Sequence, residues 1–160
     1  MHFVKKGIVS GRSEEIFDPT STVTREEFAK MLVLAIGCYD ETATTEFADV
    51  SADAWSYSYI ASAAKNGLIN GIGNGKFGIG GIISRQDMAL LIARAAGFTD
   101  DDSESGFADD ALISDYARAA VGYVRTQGLM NGVGDNKFAP MMNVSRAQAA
   151  KVIYELIQRG

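Results

Sequence analysis

A short segment occurs three times in this chain, and each copy is followed at a matching distance by a Thr/Ser-Arg pair. The segment consists of a glycine, two apolar residues, one polar residue and a second glycine. Its copies occupy residues 7–11, 67–71 and 128–132, and the pairs are Thr24-Arg25, Ser84-Arg85 and Ser145-Arg146. A unit of about 60 residues that recurs in this way cannot bury its apolar face alone. The copies must therefore pack against one another.

Each Thr/Ser-Arg pair opens a segment with the apolar spacing of an amphipathic helix. The inward positions follow the i, i+3, i+4, i+7, i+8 pattern in all three units. They are Phe28, Met31, Leu32, Ala35 and Ile36, then Met88, Leu91, Ile92, Ala95 and Ala96, then Ala149, Val152, Ile153, Leu156 and Ile157. The residue before each arginine is a predicted N-cap, and Glu27, Asp87 and Gln148 occupy the capping-box position three residues after the cap.

A second helix is predicted before each glycine segment, at residues 54–66 and 114–127 of the later units. Gly67 and Gly128 then lie where a left-handed C-cap is favoured, and Gly7 takes that place in the first unit. Short loops or minimal strands connect the helices. The predicted fold class is all-α (mainly helical), with repeats at residues 1–40, 41–100 and 101–160 that together form one compact domain. Met1 aligns near Ala61, so the first repeat is expected to lack most of its first helix.

Charge and composition exclude several classes of function. The net charge is -5 with a pI near 4.8, and the basic residues form no stripe, which argues against a nucleic-acid partner. The longest apolar run, residues 31–39, is too short to span a membrane. The first residues do not resemble a secretory signal, so the chain is expected either to remain inside the cell or to be a mature or excised piece.

Catalytic and metal-binding patterns are also missing from the sequence. His2 is the only histidine, which excludes histidine triads and multi-histidine metal sites. The acidic run at residues 100–104 lacks the ligand spacing of an EF-hand loop and is interpreted as a solvated linker. We expect no enzyme activity, no cofactor and no metal.

The order of the motifs resembles the S-layer homology (SLH) repeat. The chain has its Phe-x-Asp-Val opening at residues 47–50, the following tryptophan at Trp55, the glycine segment, a Phe-x-Pro loop at residues 17–19 and the Thr-Arg-x-Glu start at residues 24–27. The resemblance covers nearly the whole chain. Departures occur at Phe77-Gly78-Ile79, which lacks the proline, and at Asp87 and Gln148, where the family usually has glutamate.

This resemblance implies a pseudo-threefold bundle of three helix–loop–helix repeats with grooves between adjacent repeats. In the family, such grooves bind a secondary cell-wall polymer of bacteria, often one with pyruvate ketals on an amino sugar, or modified peptidoglycan in other lineages. The implied function is non-covalent anchoring of a protein to the cell envelope. The implied partner is a cell-wall polysaccharide, and the implied location is extracellular, at the cell wall or S-layer.

The predicted ligand site is built around the three arginines. Arg25, Arg85 and Arg146 each begin a helix, where free N–H groups and the helix dipole favour an anion, and a guanidinium fork suits a carboxylate. Aromatic walls for a sugar ring and glycines that allow close approach of the backbone complete the predicted groove. They are Trp55, Tyr116, Gly7, Gly11, Gly67, Gly71, Gly128 and Gly132.

Structural explanations exist for the same residues. The arginines would be structural if they paired with Asp49, Asp109 or another loop acid, and Trp55 would be structural if it belonged to the core. Gly7, Gly67 and Gly128 would be helix C-caps first, with ligand contact second. An alternative function is self-association, because an incomplete first repeat would leave apolar surface uncovered around Phe3, Phe28 and Leu32.

Overall fold

A computed structural model describes residues 18–99 and 104–159. Within those ranges the chain forms five α-helices, one 3-10 turn and isolated β-bridges, with no regular strand. The helices are α1 (Arg25–Ile36), α2 (Tyr57–Lys65), α3 (Arg85–Ala95), α4 (Asp115–Thr126) and α5 (Arg146–Arg159), and the 3-10 turn is Asp110–Leu112. The prediction of a mainly helical fold is confirmed.

The three helices that begin with an arginine form the centre of the molecule. Helices α1, α3 and α5 contact one another, while α2 packs against α1 and α4 packs against α3. Thus the first helix of a repeat packs on the last helix of the preceding repeat. Because of this packing between repeats, each repeat depends on its neighbour to bury its apolar face, as expected of a unit that cannot bury that face alone.

A ring of backbone hydrogen bonds joins the three repeats just before their central helices. Val23 N–H donates to Val144 C=O at 3.0 Å, Val144 N–H donates to Ile83 C=O at 3.2 Å, and Ile83 N–H donates to Val23 C=O at 2.9 Å. The three residues are at most 1% exposed. Because each residue donates to one neighbour and accepts from the other, the ring closes with the pseudo-threefold arrangement that the resemblance implies.

The central helices bury the predicted apolar stripe over their first two turns. Phe28, Leu32, Met88, Ile92 and Ile153 are all 0% exposed. The prediction that Phe28 and Leu32 remain uncovered is therefore wrong, since neighbouring helices cover both side chains; Phe3 lies outside the described residues. The last turns of the stripe are less buried and line an open pocket of about 810 Å³ where the central helices end.

The predicted caps are present at the described helix ends. Thr24 Oγ1 accepts from Glu27 N–H at 3.2 Å, and Ser84 Oγ accepts from Asp87 N–H at 3.3 Å. Ser145 and Gln148 form the full reciprocal capping box. After α2 and α4 the chain turns at Gly67 and Gly128, with φ of 72° and 68°, as a left-handed C-cap requires.

Helix α2 begins later than predicted, and Trp55 lies in the turn before it rather than inside it. Residues 51–57 form successive turns closed by the bonds from Ala54 N–H to Ser51 C=O and from Tyr57 N–H to Ala54 C=O. The first α-helical bond runs from Ile60 N–H to Ser56 C=O. The expectation that Trp55 belongs to the helix is therefore wrong.

The loops between helices contain the minimal strand pairs that the sequence allows. A single bridge closes each tight turn, Gly73 to Lys76 in one repeat and Gly134 to Lys137 in the next. Both central residues of each turn have positive φ, which is typical of type I′ turns. They are Asn74, Gly75, Asp135 and Asn136.

Candidate functional site

The acid of the Phe-x-Asp opening holds the loop that carries the later phenylalanine. Asp49 accepts hydrogen bonds from the N–H groups of Phe77, Gly78 and Ile79 at 2.7, 2.8 and 3.0 Å. The ring of Phe47 packs on that of Phe77 with a centroid distance of 5.9 Å. These contacts hold the loop against the Phe-x-Asp segment. The Asp49 carboxylate is thereby occupied by backbone N–H groups.

The next repeat has the same arrangement. Asp109 accepts from the N–H groups of Phe138 and Ala139, both at 2.8 Å, and Phe107 packs on Phe138 at 5.3 Å. Asp49 and Asp109 are therefore not the ion-pair partners of the arginines in the described parts of the chain. The alternative in which Asp49 or Asp109 pairs with these arginines is therefore wrong.

Replacing Asp49 by asparagine is expected to destabilise the protein by about 1.5–3 kcal/mol at pH 7. Burial opposes ionisation of Asp49, but the backbone donors outweigh it and lower the pKa of the carboxyl. A pKa lowered by folding stabilises the protein above the unfolded-state value of about 3.9, and this contribution is lost as the pH falls through the folded-state pKa. Urea unfolding at pH 7 and pH 3 should show the gap between wild type and variant narrowing at acid pH.

The control for this prediction is Asp53→Asn, a change of the same size at an exposed turn position. It should leave the free energy of unfolding within about 0.5 kcal/mol of wild type at both pH values. A gap between Asp49→Asn and wild type that stays constant with pH would contradict the role of the Asp49 charge.

Two of the three predicted arginines form ion pairs with the neighbouring repeat. Arg25 Nη1 contacts Asp87 Oδ2 at 2.8 Å, and Arg146 Nη1 contacts Glu27 Oε2 at 3.3 Å. In each pair the acid occupies the capping-box position of the next repeat around the ring. Arg25 also donates from Nε to Phe77 C=O at 3.1 Å. The arginines therefore lie between repeats, as predicted, but two of them already have carboxylate partners.

Arg85 differs from the other two arginines. Its Nε donates to Phe138 C=O at 2.8 Å, its Nη2 donates to Asn131 C=O at 2.7 Å, and its guanidinium lies 4.7 Å from the centre of the Phe138 ring. The equivalent capping-box residue is the neutral Gln148, whose side chain accepts from Ser145 N–H. Among residues 18–99 and 104–159, no carboxylate lies within ion-pair distance of Arg85.

Arg85 is buried, and the charge of Asp109 acts on its guanidinium from beyond ion-pair distance. The residue is 6% exposed. Burial lowers the pKa of its guanidinium, and the nearby charge of Asp109 partly reverses this shift. A buried cation without a carboxylate partner is energetically unfavourable, which makes this position a candidate for binding an anion.

The amides at the start of α3 are not free, contrary to the sequence-based expectation. Arg85 N–H donates to Met142 C=O and Gln86 N–H donates to Pro140 C=O. The next two amides bond to the Ser84 cap. Because the loop of the following repeat supplies these acceptors, an anion at this site would depend on the guanidinium and the helix dipole.

A pocket of about 310 Å³ between repeats brings together three predicted site residues, Arg25, Gly71 and Tyr116. Tyr116 O–H donates to Asp87 at 2.6 Å, and burial together with this carboxylate raises the pKa of Tyr116 to about 12. Arg94 also lines the pocket and was not predicted. A comparison of the repeats could have singled out Arg94, because the residues at the same position in the other two repeats, Leu34 and Glu155, are not basic.

Trp55 is separate from this pocket and is 58% exposed, so the interpretation of Trp55 as a core residue is wrong. Gly71 and Gly132 allow close approach of the chain to itself. A Cβ atom would lie 2.4 Å from Lys76 O at Gly71 and 2.6 Å from Lys137 O at Gly132. Contact of these glycines, or of Gly67 and Gly128, with a ligand stays a prediction. Gly7 and Gly11 lie outside the described residues.

None of the helices between residues 18 and 99 or between 104 and 159 has the length and apolar character needed to cross a lipid bilayer. The same two ranges contain no group of three or more His, Cys, Asp or Glu side chains placed to hold a metal ion. Most of the acidic run at residues 100–104 lies outside these ranges, so its interpretation as a linker stays a prediction.

Several known proteins are similar to almost the entire chain. An amylopullulanase of Thermoanaerobacterium thermosulfurigenes is 36% identical over 96% of this chain and 8% of its own length. The exoglucanase XynX of Acetivibrio thermocellus is 33% identical over 96% of this chain and 14% of its own. The S-layer protein sap of Bacillus anthracis is 32% identical over 95% of this chain and 19% of its own. The chain thus spans less than a fifth of each of these relatives.

The sequence profile of one family matches three segments that coincide with the three repeats. The matched residues are 4–29, 46–89 and 106–150, which together cover more than half of the chain. The segments include the arginine-headed starts of the central helices and the Phe-x-Asp openings described above. The chain therefore belongs to the S-layer homology domain family.

Proposed function

We propose that this chain binds an acidic bacterial cell-wall polysaccharide between its repeats and thereby anchors a larger protein to the cell envelope without a covalent bond. Support comes from the family and from relatives as different as S-layer proteins and glucan-acting enzymes by name, which share this segment as a small part of their length. A segment common to proteins with such different names fits an attachment role, located at the cell wall, better than catalysis.

The observation that carries the proposal is that the buried guanidinium of Arg85 has no carboxylate partner among residues 18–99 and 104–159. Its Nε and Nη2 atoms are used by loop carbonyls, and its Nη1 has no acceptor in the described parts of the chain. At Arg25 the corresponding Nη1 binds Asp87. A carboxylate on a sugar, such as the one in a pyruvate ketal, would take the place at Arg85 that Asp87 takes at Arg25.

The expected affinity of one such site is modest. A hydrogen bond to a charged group contributes about 1.5–3 kcal/mol net, and the low dielectric around Arg85 favours the upper part of this range. A polymer presents many acidic sugars, so occupation of more than one groove would raise the apparent affinity by about 10²-fold or more. Sedimentation with purified cell-wall sacculi should therefore be efficient, and it should be lost when the secondary polymer has been stripped.

Replacing Gln148 by glutamate is expected to weaken binding of a pyruvylated wall fragment by about 10-fold or more. The new carboxylate would pair with Arg85 as Asp87 pairs with Arg25, and it would compete with the ligand inside the protein. The melting temperature should stay equal or rise, because a buried charge gains a partner. Isothermal titration calorimetry with the fragment measures the first effect, and circular dichroism measures the second.

The matched control is Gln127→Glu, which adds the same charge at an exposed position outside the Arg85 region. It should bind like wild type within about twofold, because exposed charges are screened by salt. Equal affinities for Gln148→Glu and wild type would show that the carboxylate does not bind at Arg85.

The alternative function, self-association through an uncovered first repeat, loses two of the three residues on which it was based. Phe28 and Leu32 are fully buried, and Phe3 lies outside the described residues. We therefore retain glycan binding as the proposed function.

A further inference from the structure

The pocket beside Arg25 has the size and lining of a small-molecule site. Its volume of about 310 Å³ lies within the range of about 300–1,000 Å³ that is typical of ligand pockets. Apolar side chains and a few polar groups line it together, as in most such sites. The apolar part consists of Ile69, Ile72, Leu90 and Leu91. We call this cavity the Arg25 pocket.

A carboxylate of the protein itself already occupies the cation of this pocket. Asp87 Oδ2 contacts Arg25 Nη1 at 2.8 Å, and Asp87 Oδ1 accepts from Tyr116 O–H at 2.6 Å. The side chains of Arg25 and Asp87 are only 12% and 21% exposed. Burial and the Asp87 charge raise the pKa of Tyr116 to about 12, so its hydroxyl remains a donor near neutral pH. Asp87 is therefore held from two sides.

Arg25 and Arg85 share two contacts and differ in their carboxylate partner. In each case Nε donates to the C=O of a loop phenylalanine, at 3.1 and 2.8 Å, and the guanidinium lies over the ring of that phenylalanine. Arg85 also donates to Asn131 C=O. The capping-box residue of the next repeat is Asp87 at Arg25 but the neutral Gln148 at Arg85. One residue of the repeat thus changes the net charge beside its arginine.

A ligand carboxylate meets two obstacles at Arg25. To displace Asp87 it must compete with a group that is tethered to the same helix bundle and therefore acts at a high effective concentration. To bind beside Asp87 it must approach a like charge in a partly buried site, where repulsion is stronger than in water. An uncharged sugar meets neither obstacle, because the charges of Arg25 and Asp87 compensate each other.

We propose that Asp87, held by Tyr116, is a specificity-determining residue that closes Arg25 to carboxylates and leaves the Arg25 pocket to an uncharged sugar of the wall polymer. This inference rests on the proposed function and divides the labour within it. The acidic sugar binds at Arg85, and the Arg25 pocket selects against the same substituent.

The first test removes the charge of Asp87. Asp87→Gln copies Gln148, the residue that this fold already contains at the equivalent position, and Asp87→Asn makes the smallest change of shape. Calorimetry with a pyruvylated wall fragment of one repeating unit should show a second site in both variants that the wild type lacks. Its affinity should lie within about 10-fold of that at Arg85, since each site uses one guanidinium. Circular dichroism on the same samples confirms that the helices are intact.

The second test combines two substitutions. Arg85→Ala alone should weaken binding of the same fragment, and adding Asp87→Gln should recover at least about 10-fold of the lost affinity, now at Arg25. The control is Asp53→Asn, which removes one negative charge at an exposed turn. It should add no site and change the affinity by less than about twofold, because exposed charges are screened by salt.

The uncharged ligand is tested with an unpyruvylated fragment of the same length. Ile72 lines the Arg25 pocket and is 60% exposed, so Ile72→Ser changes a wall of the pocket with little effect on the core. This variant should bind the unpyruvylated fragment about 2- to 10-fold more weakly and the single pyruvylated unit as wild type does. Equal binding of the unpyruvylated fragment by Ile72→Ser and wild type would overturn the assignment of an uncharged sugar to this pocket.

The results separate this inference from the proposed function. If the wild type binds the acidic fragment but Asp87→Gln and Asp87→Asn add no site and recover no affinity in Arg85→Ala, Asp87 does not control the pocket, and the proposed function stands. If the Asp87 variants bind an acidic fragment that the wild type does not bind, Asp87 closes Arg25 as proposed, and the receptor role of Arg85 is wrong. If neither binds it, the proposed function and this inference fail together.

Discussion

Replacing Gly71 by alanine is expected to destabilise the protein by about 3–5 kcal/mol, enough to unfold much of it at moderate temperature. The added Cβ would lie 2.4 Å from Lys76 O and 2.7 Å from Phe47 Cε1. Lys76 O accepts from Ile72 N–H at 2.9 Å, so it cannot withdraw without breaking the turn. In addition, φ at Gly71 is 83°, which is unfavourable for an alanine.

Urea unfolding monitored by circular dichroism measures this effect, and Gly75→Ala separates its two causes. Gly75 has φ of 69°, and a methyl group added there would have no atom within 4 Å, so only backbone strain of about 1 kcal/mol applies. Gly132→Ala should lose somewhat less stability than Gly71→Ala, since its Cβ would lie 2.6 Å from Lys137 O but its φ is not positive, so that only the clash applies. Equal losses at Gly71 and Gly75 would show that strain alone accounts for the effect.

The sequence predicts the parts of this fold that depend on local pattern. Helix caps, apolar stripes and left-handed helix ends are determined by residues within one or two helical turns of each other. Each of these patterns also occurs in more than one repeat, which strengthens its prediction. Thr24, Ser84 and Ser145 cap helices as predicted, and Gly67 and Gly128 take positive φ as predicted. The errors at the start of α2 arise because 3-10-type turns before a helix have no strong composition signal.

Contacts between repeats could not be read from the same patterns. The partner of Arg25 is 62 residues away and that of Arg146 is 119 residues away. Nothing in a single repeat indicates that its first helix packs on the preceding repeat or that its arginine reaches the next one. One signal was present nevertheless, because Gln148 departs from the family's glutamate. In the structure this residue is the neutral counterpart of Asp87 and Glu27, and Arg85 has no ion-pair partner in the part of the chain that the structure describes.

Replacing Arg85 by alanine is expected to weaken binding of a pyruvylated wall fragment by roughly 10- to 100-fold. The variant removes the guanidinium that we propose as the carboxylate receptor. It also removes the bonds to Phe138 C=O and Asn131 C=O, so some loss of melting temperature is expected. Binding should therefore be measured by calorimetry well below the melting temperature, with circular dichroism on the same samples to confirm that the helices are intact.

Arg25→Ala is the matched control, because Arg25 makes the same kind of bond to a loop carbonyl, at Phe77, and lies over the same kind of ring. Its charge, however, is already paired with Asp87. Arg25→Ala should thus lower the melting temperature to a similar extent but change the affinity by only a few-fold. If both variants lose stability and affinity in parallel, the arginines act as structural links between repeats, and the proposed receptor must lie elsewhere. If only Arg85→Ala loses affinity, the neutral Gln148 has left this one position open to the ligand.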